Sequence, residues 1–226
     1  MTKRKVIVAD DHPLFREALS LALRQALGET LVVQAGDMDE LQQATADHDA
    51  VDLVLLDLHM PGVQGFSALV YLRAHHPELP VCVVSGNNNA VVVQRALDHG
   101  AAAFIHKSAS VEEIREALET VLAGDIWQPA ESDASGTAGD ELAIAERLGE
   151  LTPQQFRVLM MLADGLLNKQ IAHELGISEA TVKAHMTAIF RKLEVTNRTQ
   201  AVLLLNQLSV ESPDQSASFQ SAGGAA

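Results

Sequence analysis

Cysteine is nearly absent from this chain: among 226 residues there is one, Cys82. An internal disulfide is excluded, and Cys82 lies in the apolar run "PVCVVS", where a buried core thiol is expected. Long hydrophobic runs are also missing. No apolar stretch approaches the roughly 18 residues that a membrane helix needs, so no membrane partner is expected. The start, "MTKRKVIVADD", is basic and then apolar, but the apolar run Val6 to Ala9 is short and two acids end it. No signal peptide is expected there. A lone thiol without span or leader fits a reducing cytoplasm.

A basic excess is missing too. The formal net charge is −14, a figure that misleads if taken whole. The charge is unevenly spread. Residues 1–122 hold 9 Lys/Arg and 17 Asp/Glu, for −8; residues 123–149 hold 1 and 6, for −5; residues 150–208 hold 6 and 5, for +1; the tail holds two acids. The one segment that is not acidic is therefore 150–208, as expected for a nucleic-acid-facing module on an acidic partner domain.

What is present is globular: 47% hydrophobic and 20% charged residues, and a length that suits one large domain or two small ones. Apolar runs recur at 6–9, 31–35, 53–57, 81–85 and 102–106. Between them lie stretches of helical spacing, such as Phe15, Ala18, Leu19, Ala22, Leu23 and Leu27, or Val111, Ile114, Ala117, Leu118 and Val121. Five strands alternating with five helices predict an α/β, doubly wound, five-stranded parallel sheet. Its ligand crevice lies beyond the carboxyl ends of the strands. After Gly124 the pattern breaks into "GDIWQPAESDASGTAGD", a linker over 124–148 with Trp127 able to pack back on the sheet domain and "ELAIAERL" forming a short helix. From 149 the periodicity is helical only, and 209–226 is expected to be disordered.

The strand ends collect chemistry. The first ends in Asp10-Asp11, the third in Asp57 ("DLVLLDLHMPG"), the fourth in Ser85, the fifth near Lys107. Singly, each has an ordinary structural role: Asp-Asp before His12-Pro13 can cap a helix, and Asp57 can cap a turn. Jointly they bring three carboxylates into one crevice, where each would raise the others' pKa unless a cation intervenes. A few oxygen ligands completed by water suit Mg²⁺. A lysine and a hydroxyl at the same edge can bind phosphoryl oxygens, with Asp57 as the nucleophile that forms an acyl phosphate.

The stretches "VADDHPLFREAL", "LLDLHMPG", "VVSG" and "AAAFIHKSAS" resemble the flavodoxin-like receiver domain of bacterial two-component response regulators, over a domain expected at 1–123. The resemblance implies that Asp57 is the phosphoacceptor, served by a sensor histidine kinase. It implies that Asp11 and Asp57 ligate Mg²⁺ directly, that Asp10 acts through water, and that the His59 carbonyl adds a ligand. Ser85 then matches the hydroxyl that turns toward the phosphoryl group, Lys107 the phosphate-pairing lysine and Phe104 the aromatic switch position.

The C-terminal region opens with "LTPQQF": Thr152 as N-cap, Pro153 in the first turn and Gln155 completing a capping box. Gly165 suits the stop. Asn168 can cap a short helix to Leu175, Gly176 allows a tight turn, and Ser178 can cap a longer helix. That is the helix-turn-helix pattern. On the longer helix Val182, Met186, Ile189 and Leu193 form one apolar stripe, and Lys183, Thr187 and Arg191 another face. Spacing alone leaves that face either solvated or DNA-facing. "GLLNKQIAHELGISEATVKAHMTAIFRKLEVTNRTQAV" resembles the all-α, four-helix LuxR-type DNA-binding domain of NarL/FixJ response regulators, over 149–208. The resemblance implies that Lys183, Ala184 and Thr187 face base edges of promoter DNA. It places Asn168, Lys169, Thr181 and Lys192 toward the phosphate backbone. Arg198 fits either a phosphate contact or a solvated charge. The low charge predicts weak monomer binding, and the leucines of "AVLLLNQL" suit a dimer contact. The expected protein is thus a phosphorylation-dependent transcription regulator that dimerises on phosphorylation, with RNA polymerase as a further candidate partner, and not an enzyme in the turnover sense. A haloacid-dehalogenase-type phosphatase would carry its nucleophile after the first strand in a "DxDx[TV]" pattern, which Asp57-Leu58-His59 does not match. A receiver-like adaptor that never takes phosphate would not need the full acid, hydroxyl and lysine set.

Overall fold

Apolar runs with no polar face become strands because a parallel sheet is covered on both sides. In the computed structural model, which describes residues 3–47, 51–129 and 139–210, the runs form β1 (Arg4–Ala9), β2 (Thr30–Ala35), β3 (Leu53–Leu56), β4 (Val81–Ser85) and β5 (Ala103–His106). They pair in parallel in the order β2-β1-β3-β4-β5. The crossovers are α1 (Pro13–Leu27), α2 (Met38–Asp47), α3 (Ser67–His75), α4 (Ala90–Asp98) and α5 (Val111–Leu122).

The strand residues alternate between two cores. Val6, Val8, Leu53, Leu55, Cys82, Val84 and Ile105 face α1 and α5 through Leu19, Leu23, Ile114 and Leu118. Ile7, Val54, Leu56, Val81, Val83 and Phe104 face the other side, with Leu41 of α2, Leu69 of α3 and Val93 of α4. Cys82 is fully buried at the middle of β4, and burial pushes its thiol pKa up. Trp127 does pack back: its N–H donates to Ala102 O at 3.0 Å, and it forms a parallel bridge with Ala103 of β5.

The second half contains α6 (Gly139–Gly149), α7 (Pro153–Ala163), α8 (Asn168–Glu174), α9 (Glu179–Lys192) and α10 (Arg198–Asn206). The Thr152–Gln155 capping box forms, Ser178 caps α9, and Gly165 and Gly176 take positive φ at the two turns. One expected cap differs. Leu167, not Asn168, is the N-cap of α8, because Gln170 reaches back to accept from the Leu167 N–H at 2.7 Å. Asn168 is the first helical residue instead.

The halves share one core. Six consecutive residues of α3, Ser67 to Leu72, are buried, since α6 and α7 cover the side that faces away from the sheet. A helix that is apolar all round is a buried helix. Tyr71 stacks on His75 and meets Phe156 of α7 at a centroid distance of 4.9 Å. His75 Nε2 lies 2.9 Å from Leu151 O. Gly149 packs so closely on α3 that a Cβ would stand 2.9 Å from Ala74 Cβ. The linker segment 130–138 and the tail from 211 lie outside the described residues. Ser209 and Val210, expected to begin the disordered tail, are placed against the sheet domain.

Candidate functional site

The strand order reverses direction between β1 and β3, so the crevice beyond their carboxyl ends is the topological switch point. The last rungs of the ladder set the acids there: Asp10 N–H donates to Ala35 O at 3.0 Å, and Asp57 N–H to Ala9 O at 2.8 Å. Asp10 is 1% and Asp57 2% exposed, with Asp11 at the half-open rim. Ligand atoms of Asp10, Asp11, His12 and Asp57 all lie within 4.8 Å of one another.

Lys107 closes the group. Its N–H donates to Ser85 O at 2.8 Å, which fixes the turn after β5 on the end of β4. Its Nζ lies 2.8 Å from Asp57 Oδ2 and 2.6 Å from Asp10 Oδ2, over the Phe15 ring at 4.8 Å. Burial raises the pKa of Asp57; the Lys107 hydrogen bond and charge oppose this without cancelling it, while Asp10 adds to it. Burial also opposes the Lys107 charge, but bonds and charge from Asp10 and Asp57 outweigh it and raise its pKa. One ammonium thus offsets two buried carboxylates, with Asp11 alongside. The three carboxylates outnumber the one ammonium, and the donor set is oxygen-rich. Both fit a hard divalent cation such as Mg²⁺.

The remaining predicted residues lie at the end of β4, in β5 and in the turn after β3. Ser85 is fully buried, and its Oγ accepts from Asn87 N–H at 3.2 Å. Phe104 is fully buried against the α3–α4 side of the sheet. His59, two residues after Asp57, turns its ring outward, with Nε2 3.3 Å from Val210 O.

In the second half Lys169, Thr181, Lys183, Ala184 and Thr187 are exposed and Asn168 is half-buried. Val182, Ile189 and Leu193 are buried on the opposite stripe, with Met186 partly so. Thr187 Oγ1 donates to Lys183 O at 3.0 Å. Lys192 Nζ instead donates to Glu150 O at 2.7 Å and Gln155 Oε1 at 2.8 Å, tying α9 to the start of α7. Arg198 donates to Leu166 O and Leu162 O at 2.9 and 2.7 Å, closing the end of α7. Neither cation stands free on the Lys183 face.

The family model described as response regulator receiver domain matches residues 6–119, and that of bacterial regulatory proteins, luxR family, matches 149–205. The chain belongs to the DNA-binding two-component response regulators. It is similar to a glycerol metabolism activator of Pseudomonas putida, 40% identical over 206 residues that cover 88% of this chain and 93% of the relative. The nitrate/nitrite response regulator protein NarL of Escherichia coli (strain K12) is 30% identical over 205 residues, covering 89% and 94%. Among solved structures, RcsB of Salmonella enterica serovar Typhimurium bound to a promoter with the phosphomimetic BeF3− aligns with a TM-score of 0.54 at 25% identity, over 92% of this chain and 100% of that one.

Sequence reasoning passed over two residues at this site and a third, Arg95, that lies between the halves. His12 Nδ1 bridges Asp10 Oδ1, at 3.2 Å, and Asp11 Oδ1. Arg16 donates to Asp10 O and Gln34 Oε1, bracing the end of β1. Arg95 lies on α4, and its partners come from distant segments. The helix-forming spacing around Arg16 and Arg95 carried no such signal; His12 had one, its place beside two acids.

Proposed function

We propose that the regulator takes a phosphoryl group onto Asp57 from a phosphohistidine of a sensor histidine kinase and, as a dimer, binds promoter DNA through α9. The observation that carries this is the Lys107 ammonium shared between Asp57 and Asp10 at the carboxyl ends of the strands. An Asp57 oxygen attacks phosphorus, the P–N bond breaks, and the donor imidazole keeps the electron pair and takes up a proton. Catalysis of such a step is largely positioning and charge neutralisation. Asp10, Asp11, Asp57 and the His59 carbonyl would hold Mg²⁺, which when bound supplies charge neutralisation for the phosphoryl oxygens. Lys107 pairs with one of these oxygens. The Ser85 hydroxyl leaves the Asn87 amide for another, and Phe104 repacks behind it. This is a local charge event with a distant readout.

On the DNA side, Lys183, Ala184 and Thr187 would read base edges, while Asn168, Lys169 and Thr181 stand toward phosphates. Lys192 joins them only by giving up Glu150 and Gln155. The work is cytoplasmic, and RNA polymerase beside the operator is a further partner. The likeness to the glycerol metabolism activator makes promoters of glycerol-utilisation genes the first DNA to assay. Wild type and Asp57→Asn are incubated with acetyl phosphate and Mg²⁺, run on a phosphate-retarding gel and titrated onto that DNA. A retarded species in wild type alone, with tighter binding, is expected. Equal modification of both, or of neither, overturns the assignment of Asp57.

A further inference from the structure

The phosphoryl transfer proposed above gives the His12 imidazole nothing to do. His12 is the N-cap of α1, yet its side chain caps no backbone N–H. Pro13 stands at the first helical position, which removes one of the amides there. The ring turns to the acids instead. Its Nδ1 lies 3.2 Å from Asp10 Oδ1 and closer still to Asp11 Oδ1. The His12 backbone N–H donates to the same Asp10 oxygen at 2.8 Å, so main chain and ring are anchored to one carboxylate. Asp10 is thereby forked, with Oδ1 facing His12 and Oδ2 facing Lys107.

Nδ1 belongs to the same cluster as the three carboxylates, all of whose ligand atoms lie within 4.8 Å of one another. Two donors held on one ion at about 2.1 Å each stand roughly 3.0–3.4 Å apart when adjacent in its shell. The His12–Asp10 spacing already matches. Position matters as well. Asp10 and Asp57 are buried and share Lys107, whereas the His12 side chain is 68% exposed. The edge between His12 and Asp11 is therefore the open side of the cluster, where an ion arrives from water. The nearby His59 ring faces Val210 O instead. Mg²⁺ takes oxygen ligands and keeps several waters, so an imidazole adds little to its binding. Ni²⁺, Co²⁺ and Zn²⁺ are suited by imidazole and rank above the hard ions at mixed nitrogen and oxygen sites.

We infer that His12 is a fourth side-chain ligand, which with Asp10 and Asp11 opens this site to imidazole-preferring divalent ions such as Ni²⁺, Co²⁺ and Zn²⁺, while Mg²⁺ uses the oxygens alone. The inference rests on the acid cluster being a cation site, not on phosphorylation of Asp57. A His12 that merely neutralised the acids until a metal arrived would give a different pattern, since its loss would favour every divalent ion alike. Full-length wild type, His12→Gln and Asp11→Asn are stripped with EDTA, checked for native circular dichroism, and titrated by calorimetry with Ni²⁺ and, separately, with Mg²⁺. Losing a residue that only orients a metal ligand costs about 10–100-fold in affinity, so His12→Gln should weaken Ni²⁺ about tenfold or more. It should leave Mg²⁺ within about threefold, because water fills the place of the ring. Asp11→Asn should weaken both ions, which ties the Ni²⁺ site to this cluster and not to another histidine. Co²⁺ gives a second readout: its visible absorption on wild type should change in His12→Gln. Ni²⁺ and Mg²⁺ affinities that move together in His12→Gln, or Ni²⁺ binding that survives Asp11→Asn intact, overturn the inference. Mg²⁺ binding without the Ni²⁺ difference removes His12 alone and leaves the cation site standing; a chain that binds neither ion overturns both.

Discussion

Removing the Lys107 ammonium should expose how much the acid cluster strains the fold. Its Nζ sits 2.6 and 2.8 Å from oxygens of two carboxylates that are 1% and 2% exposed. At an effective dielectric of about 20, each contact is roughly 6 kcal/mol of gross attraction, most of it offset by desolvation. Breaking a buried pair by deleting one partner costs about 3–5 kcal/mol. Lys107 is 23% exposed, so water can enter, and Lys107→Ala should lose about 2–3 kcal/mol, toward the low end. For a chain of this size that lowers Tm by roughly 5–10 °C. The assay is a thermal melt at pH 7 in EDTA, with Lys107→Met as the size-matched variant. Mg²⁺ at about a hundred times its Kd returns roughly 2.7 kcal/mol, enough to erase the deficit. Acid should shrink the deficit too, since burial raises the pKa of Asp57. Variants that melt within about 1 °C of wild type in EDTA, and gain no more than wild type from Mg²⁺, would refute the account of a crowded, cation-seeking crevice.

Four further outcomes follow from the same geometry. Asp57→Asn in EDTA should melt above wild type at pH 7, because a carboxylate whose folded pKa is raised loses stability as pH rises through it; melts over a pH series should show the gap closing in acid. Lys183→Ala should weaken promoter binding and relax the preference at the base pair it reads, checked by titration against operators mutated there. Arg198→Ala should cost roughly 1–2 kcal/mol of stability by orphaning the carbonyls of Leu162 and Leu166, read as a lower Tm, and leave the salt slope of DNA binding unchanged. Leu203, 59% exposed on α10, should matter for pairing: Leu203→Glu is expected to keep its melt but to lose the dimeric species on sedimentation with phosphodonor.

The sheet was legible because its strands are apolar on both faces and its helices on one. The acids were legible because a parallel sheet sends all its strand ends to one edge. What hid was anything set by contact between the halves. The unbroken burial of Ser67–Leu72 had a visible sign, a helix with hardly a polar face, yet sheet and partner domain leave the same trace in sequence. Gly65 reads as a loop glycine until Leu208 is seen lying on it. Arg198 and Lys192 show why charge alone does not locate a DNA contact: an ammonium or guanidinium goes to the nearest orphaned carbonyl at a helix end, and whether one is within reach is a matter of tertiary distance. Ser85 carries the same ambiguity within a single rotamer, since its hydroxyl serves the Asn87 amide here.

The solitary thiol of β4 gives this regulator a built-in clock. Cys82 is fully buried beneath two layers of helices, with its thiolate disfavoured by burial. A thiol reagent can reach it only when the sheet itself opens. The helical half has no cysteine to compete for label. The rate of modification under native conditions therefore times the opening of the receiver alone, and any cation, phosphodonor or substitution that tightens the crevice should slow that clock without a label having to be engineered into the chain.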